Sequence, residues 1–177
     1  NIVSQMGGTI TVESKLGEGS AFTVTLPLEC ADGAEQPSVQ KAPEKISLEG
    51  KKVLVAEDNE INMDIAAEML EMNGIRVTKA WNGKEAVELF AGSAPGEFDG
   101  ILMDMQMPVM DGCQAAEKIR SMNRTDAGSV PIVAVTANAF AEDLAATTAA
   151  GMNAHVSKPI DFDLLFQTLS ELMERKG

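Results

Sequence analysis

Ile101-Leu102-Met103-Asp104-Met105-Gln106-Met107-Pro108 is the stretch from which the fold can be read. Three large apolar residues run without polar interruption and stop at a carboxylate. A run this short suits a strand buried on both faces of a parallel sheet better than a helix. Val53-Leu54-Val55-Ala56 and Ile132-Val133-Ala134-Val135 have the same character. Ile75 to Lys79 and Ala154 to Val156 predict shorter, more peripheral strands. Between these runs the apolar period becomes helical. Ile61, Ile65, Met69 and Met72 share one helical face, as do Ala115, Ile119 and Met122, and later Phe162, Leu165, Leu169 and Leu172. Asn82 before Glu85 and Asp111 before Gln114 have capping-box spacing, and Asp161 is a third N-cap candidate. Gly74 and Gly151 stand where helices should stop. Five strand–helix units predict a doubly wound α/β fold, a five-stranded parallel sheet with helices on both faces. Ligands of such sheets bind beyond the C-terminal strand ends, so the residues just after each strand carry the information.

Outside this segment the composition changes twice. Residues 1–29 alternate apolar and polar positions around glycines. Residues 30–50 are poor in large apolar residues and carry Pro37 and Pro43, which is linker composition. As a flexible coil they would span roughly 25 Å. Residues 51–177 hold the regular alternation. The chain has 177 residues, 45% of them hydrophobic, and a formal charge of −13. That charge argues against a nucleic-acid backbone or an anionic membrane surface as partner. The longest apolar run, Val130 to Val135, is far short of the roughly 20 residues that span a bilayer. Cys30 and Cys113 lie far apart and form no CxxC, which predicts a reducing, cytoplasmic setting. Asn rather than Met at position 1 suggests a piece of a longer protein.

Strand ends bring chemistry to one edge. The first core strand ends Glu57-Asp58-Asn59, the third at Asp104, the fourth Thr136-Ala137, and the fifth Ser157-Lys158-Pro159. Three clustered carboxylates repel, and at least one stays protonated unless a cation intervenes. Magnesium takes oxygen ligands and keeps waters that a phosphate can replace. Lysine supplies a mobile point charge for a phosphate oxygen, and threonine a hydrogen bond. Phosphoryl transfer needs mainly positioning and charge neutralisation, and Asp104 can serve as an acyl-phosphate-forming nucleophile. Any one of these residues could be a solvated loop group, and Glu57 could be a mere neighbour of Asp58; five groups at these spacings carry the weight. A P-loop enzyme is excluded because no GxxxxGK follows the first strand.

Residues 51–177 resemble the receiver domain of two-component signalling. The matching elements are Glu57-Asp58, the run Met103 to Gly112, Thr136-Ala137, Lys158-Pro159, Asn82-Gly83-Lys84-Glu85-Ala86 and Gly151-Met152-Asn153. The resemblance implies a flavodoxin-like (βα)5 fold with strand order 2-1-3-4-5. It implies Asp104 as phosphoacceptor and a magnesium ion held by Glu57, Asp58, Asp104 and the Gln106 main-chain carbonyl. Lys158 and Thr136 would contact the phosphoryl group, and Lys158–Pro159 would be cis. The switch pair of the family falls on Thr136 and on position 155, where the usual Tyr or Phe is His155. As a lone histidine on a short strand, His155 is expected to be half-buried. A haloacid-dehalogenase-like phosphatase would carry Asp-x-Asp on its first strand, and Glu57-Asp58-Asn59 does not match.

Residues 1–29 resemble the last part of a histidine-kinase ATP-binding domain, through Ile2-Val3, Met6-Gly7-Gly8-Thr9-Ile10, Glu13-Ser14, Gly17-Glu18-Gly19-Ser20-Ala21-Phe22 and Leu26-Pro27-Leu28. A helix end up to about Met6 and strands near 9–14 and 21–26 are expected there. Kinase followed by receiver is the arrangement of a hybrid sensor kinase, whose nucleotide-binding boxes would lie upstream of residue 1. The implied phosphodonor is the kinase's own dimerisation domain, and the implied acceptor a histidine phosphotransfer domain. A phosphorylation-independent interaction module is the alternative.

Overall fold

The computed structural model describes residues 3, 7–15, 17, 19–27, 48–137 and 141–174, which fall in two units, Asn1–Pro43 and Glu44–Gly177. In the first unit, β1 (Thr9–Lys15) and β2 (Gly19–Thr25) form an antiparallel hairpin. Side chains alternate across a strand. The register pairs Ile10 with Val24 and Val12 with Phe22, so these four share one face, and all four are exposed. The strands agree with the expected spans to within two residues. Of the expected helix end only Val3 is described, and it is helical.

The second unit runs β3 (Lys52–Ala56), α1 (Glu60–Met72), β4 (Arg76–Ala80), α2 (Gly83–Gly92), β5 (Gly100–Asp104), α3 (Gly112–Arg120), β6 (Ile132–Thr136), α4 (Ala141–Ala149), β7 (Ala154–Ser157) and α5 (Phe162–Glu174). All five strands are parallel, in the order β4-β3-β5-β6-β7, which is 2-1-3-4-5 within the domain. The period-two alternation of the three apolar runs divides them between two cores. Leu54, Ile101, Met103, Ile132 and Ala134 pack with Ala86 and Phe90 of α2 and Ala115 and Ile119 of α3. Val53, Val55, Leu102, Val133, Val135 and Val156 pack with Met63 and Leu70 of α1 and Leu165 and Leu169 of α5. Leu48, inside the stretch of linker composition, is buried in this second core.

The caps follow the expected chemistry. Asn82 Oδ1 accepts the Glu85 N–H, Asp111 Oδ1 the Gln114 N–H and Asp161 Oδ1 the Leu164 N–H. Gly74 and Gly151 take the left-handed backbone that ends α1 and α4, at φ 78° and 81°.

Helix α1 corrects one expectation. Its buried residues are Met63, Ala66, Ala67 and Leu70, while Ile61, Ile65 and Met72 are exposed by 70%, 50% and 75%. The helix carries two apolar stripes. The sheet takes the one with small alanines, which lets the helix approach closely, and leaves the isoleucines on the surface. Met107 and Met110, in the loop after β5, are buried in the first core along with Met103.

The connection from α3 to β6 is pinned by a charged cluster. The Arg124 guanidinium lies 4.2 Å from the Phe90 ring centroid and donates to the Phe90 and Ala94 carbonyls. It also donates to both oxygens of Asp126 at 2.6 and 2.9 Å, and Asp126 accepts the Gly96 N–H at 2.7 Å. The hydrogen bond from Arg124 holds the Asp126 carboxyl down at about 2, against an ordinary 3.8. Folding therefore favours the ionised form, and its contribution of roughly 2 kcal/mol is present above the ordinary value and lost as pH falls towards 2. Asp126→Asn should lower unfolding stability at pH 7 by about that amount. It should also flatten the stability profile between pH 4 and pH 2, which urea titrations across that range would measure.

Candidate functional site

The C-terminal strand edge is assembled by local features of the chain. After β3, the Glu57 N–H donates to the Ala80 carbonyl at 3.1 Å, which fixes Glu57 between two parallel strands. Asn59 then caps α1, its Oδ1 accepting the Asn62 N–H at 3.1 Å. After β5, residues 105–112 close on themselves. The Met110 N–H reaches the Pro108 carbonyl at 2.7 Å around Val109, whose φ is 69° and which is 79% exposed. The Gly112 N–H returns to the Met105 carbonyl at 3.2 Å, and a Cβ on Gly112 would run into the Asp104 carbonyl oxygen. Glycine at 112 is therefore required for α3 to start directly beneath the site. After β7, Lys158 donates its N–H to the Thr136 carbonyl at 2.7 Å, and the Lys158–Pro159 peptide bond is cis, as expected.

These turns bring Glu57, Asp58 and Asp104 together, with a carboxylate oxygen from each within 4.8 Å of the others. Glu57 and Asp104 are buried, at 5% and 4% exposure, and Asp58 is exposed. Lys158 Nζ lies 2.7 Å from Glu57 Oε2 and 2.7 Å from Asp104 Oδ2. Asp104 Oδ1 accepts the Gln106 N–H at 3.2 Å. Burial pushes the Asp104 carboxyl above its ordinary value; the hydrogen bonds from Lys158 and Gln106 pull it back in part, and the Glu57 charge adds to the rise. Burial opposes the charge on Lys158, but its hydrogen bonds to Asp104 and Glu57 outweigh that and raise its pKa. Thr136 is buried at the end of β6. A cleft of about 530 Å³ opens beside the cluster, lined by Asp58, Gln106, Pro108, Asp111 and Cys113 among others.

His155 differs from expectation. It is exposed rather than half-buried, because β7 is an edge strand whose Ala154 and Val156 face the core while His155 lies on the opposite side. Asn62 had not been singled out. Its Nδ2 donates to Glu57 Oε1 at 3.0 Å, beside a longer bond of 3.3 Å from the Asn59 N–H. The signal was present: Asn59 and Asn62 repeat the cap-and-third-residue spacing seen at Asn82 and Glu85.

A buried carboxylate at a central strand end, flanked by two more and by a lysine, is the arrangement of a phosphoacceptor α/β module. Residues 53–170 match the response regulator receiver domain, and the chain belongs to that family. It is 36% identical over 165 residues to the aerobic respiration control sensor protein ArcB of Escherichia coli, covering 93% of this chain and 20% of that protein. The chain thus spans a fifth of the length of that relative. The receiver domain of the sensor histidine kinase PA1611 from Pseudomonas aeruginosa, with a magnesium ion coordinated in its active-site cleft, superposes with a TM-score of 0.64. It is 35% identical, over 71% of this chain and 98% of that one. A complex of the Saccharomyces cerevisiae histidine phosphotransfer protein Ypd1 with the receiver domain of Ssk1 matches with a TM-score of 0.61 and 31% identity, over 69% of this chain and 88% of that one.

Lys158→Met should leave two buried carboxylates facing each other without a cation. In magnesium-free buffer it should cost about 3 kcal/mol at pH 7. The deficit should shrink as pH falls, because protonating Asp104 then relieves the repulsion. Denaturant unfolding at pH 7 and pH 4.5 would measure both effects.

Proposed function

We propose that Asp104 accepts a phosphoryl group from a phosphohistidine, with the dimerisation domain of the parent kinase as donor and a histidine phosphotransfer domain as the next acceptor. The observation that carries this reading is the single ammonium shared by Glu57 and Asp104 at 2.7 Å each. Attack by an Asp104 oxygen on phosphorus forms the acyl phosphate as the phosphorus–nitrogen bond breaks, and the departing imidazole keeps the electron pair. The oxygen bonded to Lys158 then changes from a full carboxylate partner to part of a mixed anhydride, and Lys158 turns to a phosphoryl oxygen. The Thr136 hydroxyl supplies a further hydrogen bond there, and Thr136 and His155 form the switch pair that carries the change towards β7.

The donor set suits magnesium. It is made of oxygens only, and three carboxylates met by one ammonium leave a net negative cluster. Glu57, Asp58, Asp104 and the Gln106 main-chain carbonyl would hold the ion. Once bound, it supplies charge neutralisation for the phosphoryl oxygens. A phosphorylation-independent role is not favoured by so complete a set.

The surface next to the site supports a protein donor. Ile61 and Ile65 of α1 and Val109 of the β5–α3 loop expose branched apolar side chains near the strand edge. The receiver in the Ypd1 complex provides a precedent at 31% identity. We also infer that residues 1–29 are the end of a histidine-kinase ATP-binding domain, followed by a linker over 30–50. The alignment with ArcB covers 93% of the chain, more than the receiver alone, and the hairpin's apolar face needs a larger sheet or helix layer to cover it. The parent would be a hybrid kinase with this segment in the cytoplasm. Among the described residues no helix is long and apolar enough to cross a membrane.

Incubation with acetyl phosphate and magnesium should add one phosphate by intact-mass spectrometry, and Asp104→Ala should abolish the addition. Phosphate on another residue, or none on the unmutated chain, would overturn the reading. The same chain should bind no ATP, because the nucleotide boxes of the kinase are not within it. Micromolar affinity in a calorimetric titration would contradict the assignment of residues 1–29.

A further inference from the structure

We propose that Asn62 is a positioning residue for the cation: its carboxamide fixes the orientation in which Glu57 meets the acidic cleft. The proposal rests on the magnesium reading above. Glu57 has its two oxygens held by different side chains. Oε2 is drawn towards Asp104 by the Lys158 ammonium at 2.7 Å, and Oε1 is held towards α1 by Asn62 Nδ2 at 3.0 Å. The third contact, from the Asn59 N–H, is longer at 3.3 Å and spans only two residues, so it constrains the carboxylate less.

Asn62 is itself well placed to do this. Its own N–H is taken by the Asn59 cap, and the next residue, Met63, is fully buried against the sheet. The carboxamide is therefore presented from a backbone that cannot drift. When Lys158 turns to a phosphoryl oxygen, Glu57 loses a charged partner, and Asn62 continues to hold it. The choice of a neutral donor also has a physical logic. A lysine or arginine here would compete with the cation for the same carboxylate. An aspartate would repel Glu57. An amide orients Glu57 while leaving its charge available to the ion. Groups that orient a metal-binding carboxylate in this way typically change metal affinity 10- to 100-fold when removed.

Calorimetric titration of the full chain with magnesium tests the proposal. Asn62→Leu keeps the side-chain shape, removes the donor and sits on an exposed helix position where leucine is a good helix former, so the fold is retained. It should weaken magnesium binding about tenfold. In the Glu57→Gln background the same substitution should change affinity less than about twofold, because the group it acts through has lost its charge. Denaturant unfolding in a chelator should show Asn62→Leu as stable as the unmutated chain. Magnesium affinity within twofold of the unmutated chain, or an equal loss in the Glu57→Gln background, would overturn the proposal. An unmutated chain that bound no magnesium would instead bring down the cation reading on which it rests. Phosphate uptake at saturating magnesium should survive Asn62→Leu, which separates a positioning role from loss of the phosphoacceptor.

Discussion

Lys158 meets Glu57 and Asp104, residues 101 and 54 positions away in the chain, with one ammonium at 2.7 Å from each. Two buried carboxylates sharing one site repel each other, and the ammonium between them offsets that repulsion. The rest of the second unit can be understood as what is needed to hold those three groups. Parallel order puts β3 and β5 side by side at the centre of the sheet, so their C-terminal ends deliver Glu57 and Asp104 to adjoining positions. The turn after β7 sends Lys158 back over β6, where its N–H is anchored on the Thr136 carbonyl. Remove the lysine and the strand ends carry unpaired charge. Remove the strand order and the lysine has nothing to bridge.

The same bridge makes the site unfinished in a useful way. One ammonium among three carboxylates leaves negative charge on the edge, and burial raises the Asp104 pKa, so the arrangement favours any further positive group that can enter. Asp58 is the exposed member of the set and faces the cleft, so entry does not require the core to open. Asp126 makes a contrast within the same domain. It too is a buried carboxylate, but Arg124 and the Gly96 N–H satisfy it, and its pKa falls instead of rising. The first cluster leaves negative charge open to the cleft; the second holds a loop in place.

The strands and the parallel sheet were legible because uninterrupted apolar runs are spaced by helical periods, while their order came from the family resemblance. Cap residues were legible for the same reason: Asn, Asp and Gly at helix ends act within a few residues. The site's membership followed from the strand ends together with the family resemblance. What could not be read were choices between equals. Helix α1 has two apolar stripes, and only packing against the sheet decides that Met63, Ala66 and Leu70 go in while Ile61 and Ile65 stay out. The exposure of His155 depends on β7 being the edge strand and on which face it turns outward, and that orientation is not set by the residue type. The reach of Asn62 to Glu57 needed the actual rotamer of a side chain five residues away.

Helix α1 shows why such choices matter for function. Successive residues on a helix turn by about 100°. Ile61, Asn62 and Met63 therefore point in three directions from one turn: to solvent, to the Glu57 carboxylate and into the second core. Met63 is the rigid anchor, and it determines where the other two point. A residue inserted or deleted between Asn59 and Met63 would rotate all three assignments at once. The exposed stripe would then move away from the strand edge and the amide away from Glu57, while the sheet could remain intact. The first turn of α1 is thus the place where core packing, orientation of the acidic cluster and the apolar surface beside it are set by a single backbone geometry.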